Sequence, residues 1–183
     1  MKSFVSRAGE KLQFALDQFK ISVMDLTVAD FGSSTGGFVD CLLQNGAKKV
    51  YSVDTAYGEL AWTLRKDPRV VVMERTNAMH VRLPEKVDLV TIDTSWTKQS
   101  KVLPNAFESL VAGGFVISLI KPHYEAGKGK LKAEEVDKVL KVVKVDIESA
   151  GGKVKNLVES PILGEKGKNR EFLAFIKPAL PIV

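Results

Sequence analysis

Short continuous apolar runs alternate along this chain with stretches whose apolar residues recur at helical spacing, and the change of period marks the elements. The runs fall at the Val28 end of a glycine-containing segment and at Val50–Val53, Val70–Met73, Val87–Ile92, Phe115–Ile120, Val154–Val158 and Glu171–Ile176, seven strands in all. Helical spacing covers Ser6 to Phe19, with Ser6 as N-cap and Glu10 in the first turn, and the stretch from Phe38 through Leu42 and Leu43, stopped by Asn45-Gly46. Further helices are expected over Tyr57 to Leu64, over Leu103 to Leu110 with Gly113-Gly114 as its end, and over Glu134 to Ala150, closed by Gly151-Gly152. Strands alternating with helices predict a parallel sheet with helices on both faces. The last two strands have no helix between them, so one member near the sheet edge should run antiparallel.

Val28 to Phe38 organises the rest. It reads as strand, glycine turn and helix, with Asp30 at the strand end and Gly32, Gly36 and Gly37 where backbone passes close to a ligand. The second run ends in Asp54, about twenty residues after the first glycine, as in a nucleoside-binding βαβ unit. Ser33 and Ser34 stand where a dinucleotide fingerprint needs its glycines, which turns the reading from a pyrophosphate toward S-adenosylmethionine. Asp30 would then sit near the cofactor's ammonium end, Asp54 on its ribose hydroxyls, and Gly32, Ser34, Gly36, Gly37 and Phe38 along it. Asn77-Ala78, in the loop after the third strand, is placed to meet the base. The plain alternative is a tight strand–helix turn, with Asn77 present for its turn habits.

The 183 residues fit one domain, 1–183, and 45% apolar with 27% charged residues is ordinary for a globular chain. No apolar stretch has signal-peptide character or the length of a membrane span, so a cytoplasmic location is expected. A single cysteine, Cys41, rules out a disulfide within the chain and a thiolate metal site; no metal is expected. Net charge is +5, which permits a polyanionic partner without requiring one. Two basic clusters, Lys128, Lys130 and Lys132 in a glycine-containing loop and Arg65, Lys66 and Arg69 around a turn, either track phosphates or are solvated surface.

Asp93 ends the fourth strand, so Asp30, Asp54 and Asp93 line up along one edge of a doubly wound sheet. Lys121, ending the fifth strand before Pro122, projects into the same crevice; Lys11 lies on the first helix and Glu171 at the start of the last strand. Two ammonium groups interleaved with two carboxylates stay hydrogen-bonded and neutral while partly buried. They form either a catalytic group or two structural ion pairs. A lysine acts as base only once its ordinary pKa of about 10.4 has fallen. Burial and Lys11 push Lys121 down and the two acids pull it up, a balance the sequence leaves open.

Five blocks then carry a likeness: Val-Ser-Arg-Ala-Gly-Glu-Lys-Leu at 5–12, Asp-Phe-Gly-Ser-Ser-Thr-Gly-Gly-Phe at 30–38, Glu-Arg-Thr-Asn-Ala at 74–78, Ile-Asp-Thr-Ser at 92–95 and Ile-Lys-Pro-His-Tyr-Glu-Ala-Gly at 120–127. Together with Asn169 to Leu173 they resemble the haemolysin-A (TlyA) branch of the FtsJ-like ribosomal RNA 2′-O-methyltransferases. The resemblance implies a Rossmann-like methyltransferase fold, S-adenosylmethionine as donor, ribosomal RNA or a ribosomal subunit rather than DNA or membrane as partner, and a Lys-Asp-Lys-Glu catalytic set matching Lys11, Asp93, Lys121 and Glu171. Lys121 would be the base. Asp93 would also touch the cofactor. Such proteins carry an S-four-type RNA-binding domain upstream, and this chain starts about where that domain would end, as either a natural short form or a fragment, with RNA affinity then supplied by a separate RNA-binding domain or partner. The chain departs from the pattern at Trp96, His123 and Tyr124, which would reshape the substrate side, with His123 exposed in a loop. The competing function is a cofactor-binding ribosome assembly factor or interaction module without transferase activity.

Overall fold

The computed structural model describes residues 3–164 and 168–179. Along the chain run α1 (Ala8–Phe19), β1 (Thr27–Phe31), α2 (Gly37–Gln44), β2 (Lys49–Val53), α3 (Trp62–Arg65), β3 (Val70–Met73), β4 (Val87–Ile92), α4 (Gln99–Glu108), β5 (Leu110–Ile120), α5 (Pro122–Glu125), α6 (Ala133–Ser149), β6 (Gly152–Glu159) and β7 (Phe172–Pro178). The sheet order is β3-β2-β1-β4-β5-β7-β6. β7 runs antiparallel to both neighbours, so it is the single reversed strand, inserted one place from the edge. This is the Rossmann-like α/β architecture expected of the sequence.

Alternate residues of each strand feed two cores. Val28, Val50, Leu89, Ile117, Leu119 and Leu173 pack with Leu12, Leu16, Val39 and Leu42 of α1 and α2. Their neighbours Ala29, Phe31, Val90, Ile92, Val116 and Ile176 pack with Val102, Leu103, Val136, Val143 and Ile147 of α4 and α6. Both faces of the sheet are therefore covered, which explains why its strands read as continuous apolar runs. Each fully buried aliphatic side chain contributes roughly 1.5–3 kcal/mol.

Four local expectations are corrected. The first helix starts at Ala8, not Ser6, and Arg7 is its N-cap without a side-chain bond; the Ser6 hydroxyl is turned toward Gly37 instead. The helix expected over Tyr57 to Leu64 is one turn at Trp62–Arg65, because Gly58 has φ +78° and the Ala61 amide donates to the Thr35 carbonyl at 3.1 Å. The next helix ends at Glu108, and Gly113-Gly114 lie inside β5: Val87 pairs with Leu110 and Leu89 with Phe115, so the glycines occupy a bulge. The loop expected from His123 opens with the helical turn α5, which buries His123 to 4% exposure. Residues 165–167 of the polar loop expected over 164–169 lie outside the described residues.

Candidate active site

Strand order reverses between β1 and β4, and a crevice opens there beyond the carboxyl ends of the strands. Gly32 makes the turn possible. Its φ is +89°, and a Cβ there would lie 2.6 Å from the Asp93 carbonyl oxygen. Two adjoining cavities share Gly32, Ser34, Asp93 and Ser95.

The smaller, about 340 Å³, has Asp54, Ala56, Asn77 and Ala78 on its walls. Asp54 stands just past β2, where its Oδ2 accepts the Ser34 amide at 2.7 Å and its Oδ1 the Ala56 amide at 2.8 Å. Both oxygens are aimed by backbone and retain lone pairs for a vicinal diol. The Asn77 Oδ1 accepts the Met79 amide at 2.9 Å, the turn habit expected of it, while the residue also faces the cavity. The space, walled by carboxylates and hydroxyls, fits the nucleoside part of S-adenosylmethionine.

The larger cavity, about 590 Å³, collects Lys11, Asp93, Lys121 and Glu171. They form two ion pairs, Lys11 Nζ to Glu171 Oε2 and Lys121 Nζ to Asp93 Oδ1, each 2.5 Å. α1 presents Lys11 from its buried face beside Leu12. β4 and β5 end at Ile92 and Ile120, so Asp93 and Lys121 emerge side by side. Ile120 is paired with Phe172 across the antiparallel ladder, which brings Glu171 to the same edge. Burial is the largest influence on Lys121 and lowers its pKa, but the charges of Asp93 and Glu171 together with the Asp93 hydrogen bond outweigh it. The net direction is upward. That direction favours the ammonium form of Lys121.

Two predicted contact residues do not reach the crevice. Asp30 is fully buried, receiving the Thr91 hydroxyl on Oδ1 at 2.6 Å, while Oδ2 has no partner among the described residues. Burial raises its pKa from 3.8 to about 7, with Asp93 and Asp54 adding to the rise against the hydrogen bonds of Thr91 and Ser33. Gly36 has φ +99°, and a Cβ on it would strike Leu60 and Leu64, so packing rather than a ligand requires glycine there. Gly32, Ser34, Gly37, Phe38, Asp54, Asn77, Ala78 and Asp93 all line one cavity or both.

Other lining residues escaped the sequence reading. Arg7 reaches the large cavity while donating to the Leu163 carbonyl at 3.0 Å. Ser95 faces both cavities, and its place two residues past a strand-end acid was the available signal. His123 is buried, not exposed: its ring lies 4.1 Å from Tyr124, whose ring is 4.2 Å from the exposed Trp96. Burial, then the Lys121 charge, lowers the His123 pKa and favours neutral imidazole. Among the described residues no cluster of metal-ligating side chains is present and no helix is long and apolar enough to cross a membrane.

The family model described as FtsJ-like methyltransferase matches residues 4–177. YqxC of Bacillus subtilis is 44% identical over 184 residues, covering 93% of this chain and 64% of the relative. The 16S/23S rRNA (cytidine-2′-O)-methyltransferase TlyA of Mycobacterium tuberculosis is 44% identical over 134 residues, covering 71% of this chain and 50% of the relative. A solved structure from Streptococcus thermophilus, named for hemolysin, superposes with a TM-score of 0.91 at 39% identity, covering 97% of this chain and 68% of that one. The chain thus spans less than two thirds of the length of both curated relatives.

Proposed function

Because the chain belongs to the FtsJ-like methyltransferase family, we propose that it transfers a methyl group from S-adenosylmethionine to a ribose 2′-hydroxyl of ribosomal RNA. The observation that carries this reading is the meeting of two lysine–carboxylate pairs in one cavity that opens onto the Asp54 cavity. The relative from Mycobacterium tuberculosis bears the name of the same reaction.

The cofactor supplies an electrophilic methyl carbon on a sulfonium; the chain's part is to hold it, hold the hydroxyl and manage one proton. Asp54 accepts from the nucleoside's ribose hydroxyls. Lys11 and Glu171 position the incoming ribose, and Asp93 fixes the Lys121 ammonium beside it. Beside the cationic sulfonium the proton affinity of Lys121 would fall, so that the ammonium would give its proton to solvent and the neutral amine would take up the proton of the ribose 2′-hydroxyl as that oxygen accepts the methyl group and a neutral thioether is left behind. General-base assistance of this kind contributes about 10²- to 10⁴-fold, and in-line positioning adds to it.

The test is incubation of the purified chain with methyl-labelled S-adenosylmethionine and separated ribosomal subunits. The expected result is label in RNA at an alkali-stable internucleotide bond, the mark of a blocked 2′-oxygen. Label on a base, or cofactor binding by calorimetry with no label in any RNA, overturns the proposal, the second outcome in favour of a non-catalytic assembly factor.

A further inference from the structure

A third cavity lies on the other side of α5. It encloses about 180 Å³ between α5, the start of α6 and the approach to β7. Its floor is apolar, from Pro122, Leu131 and Val136, and its rim carries Lys130, Lys168 and Arg170. An apolar floor under a cationic rim suits a sugar face below and a phosphate above. Arg170 is committed to Glu159 through two contacts of 2.7 Å. Lys130 and Lys168 have no ion-pair partner among the described residues, whereas their neighbour Lys128 is paired with Glu135 at 2.7 Å. Of the loop lysines that the sequence groups together, Lys130 is thus aimed at a concavity.

A second observation points to a ligand. His123 lines both this cavity and the catalytic one, is 4% exposed, and its Nδ1 is buried with no hydrogen-bond partner among the described residues. A buried ring nitrogen without a partner is costly unless a bound group satisfies it. The wall behind it is fixed: the Asn169 side-chain amide donates to the Gly129 carbonyl at 3.0 Å, tying the two loops that form the rim. Nothing in the methyl-transfer chemistry uses either lysine.

We propose that this cavity is a phosphate subsite, in which Lys130, Lys168 and His123 hold one backbone phosphodiester of the RNA substrate next to the nucleotide whose ribose enters the catalytic cavity. The inference rests on the reading of the chain as an RNA methyltransferase and adds to it where the strand leaves the active site. A contact of this kind positions RNA without reading its sequence.

The test uses the whole chain, the Lys130→Ala/Lys168→Ala double variant and a single-stranded oligoribonucleotide. Binding is followed by fluorescence anisotropy across a salt series, and methyl transfer is measured in parallel. Removing one lysine from a phosphate lowers the slope of log affinity against log salt by about one. The double variant is expected to lose about one unit of slope and about tenfold in RNA affinity and KM, with kcat and S-adenosylmethionine affinity unchanged. A second arm titrates inorganic phosphate while recording imidazole nitrogen resonances. The chain has two histidines, and the His123 signal is expected to move while that of the exposed His80 stays still. An unchanged slope, or no RNA binding by the unaltered chain, overturns the subsite. A His123 shift with phosphate but no change in RNA slope also overturns it, leaving a small-anion site. A lowered slope without methyl transfer upholds the subsite and defeats the transferase reading; methyl transfer with an unchanged slope does the reverse.

Discussion

The two halves of the crevice are held by different chemistry. At Asp54 the carboxylate is met by backbone: it accepts the amides of Ser34 and Ala56, and no side-chain cation is needed. Around Lys121 the four charged side chains are paired with one another, through two ion pairs drawn from the first helix, two strand ends and the start of β7. Backbone contacts cannot change protonation and move only if the fold moves. Side-chain ion pairs can exchange partners when a ligand arrives, which suits a place where a proton must be passed. On the proposed function, one half would recognise and the other would react.

Breaking the reacting half should have the largest effect. Lys121→Ala is expected to lower methyl transfer by about 10²- to 10⁴-fold while calorimetry shows S-adenosylmethionine affinity within a few-fold of normal. Lys121→Arg keeps the charge but holds its proton, and should be as inactive in the same assay. Equal loss of binding and transfer would erase the distinction between the halves.

Asp30 lies beneath both halves and feels a carboxylate from each, Asp93 and Asp54. Its carboxyl holds its proton up to about pH 7 in the folded chain, whereas the unfolded chain loses it near 3.8. Between those values the unfolded state binds fewer protons. The stability Asp30 contributes is therefore full below about pH 4 and is lost as pH rises toward 7. Asp30→Asn, which keeps an acceptor for Thr91, should flatten that fall by up to a few kcal/mol, read from urea unfolding at pH 4, 5.5 and 7. An unchanged pH profile would remove Asp30 from the account.

The smallest effect belongs to the recognising half. Asp54→Asn leaves one acceptor oxygen for two amides and is expected to weaken S-adenosylmethionine binding by about tenfold, near 1.4 kcal/mol, with kcat preserved at saturating cofactor. A collapse of kcat with affinity intact would show that the division of labour runs the other way.

Much of this was legible along the chain. β3 at Val70–Met73 and β4 at Val87–Ile92 were read to the residue, because short apolar runs bounded by polar residues have few alternatives. Lys11, Asp93, Lys121 and Glu171 were legible as a group because doubly wound sheets gather strand ends on one edge. What failed depended on packing. Gly113 and Gly114 look like a helix stop in one dimension, and only the register of β5 against β4 shows them as a bulge. Gly36 looks like a ligand contact until Leu60 and Leu64 are seen against it. His123 follows a proline in a polar stretch, and nothing local announces that the helical turn after Lys121 buries it.

The reversed course of β7 has one more effect. Had it run with its neighbours, Glu171 would emerge at the far rim of the sheet, and Lys11 would face the cavity without a counter-ion. Residues 11 and 171 are 160 positions apart, so a growing polypeptide makes the first early and meets the second late. The ion pair that neutralises Lys11 is thereby completed only at a late point in synthesis, once β7 has turned back into place.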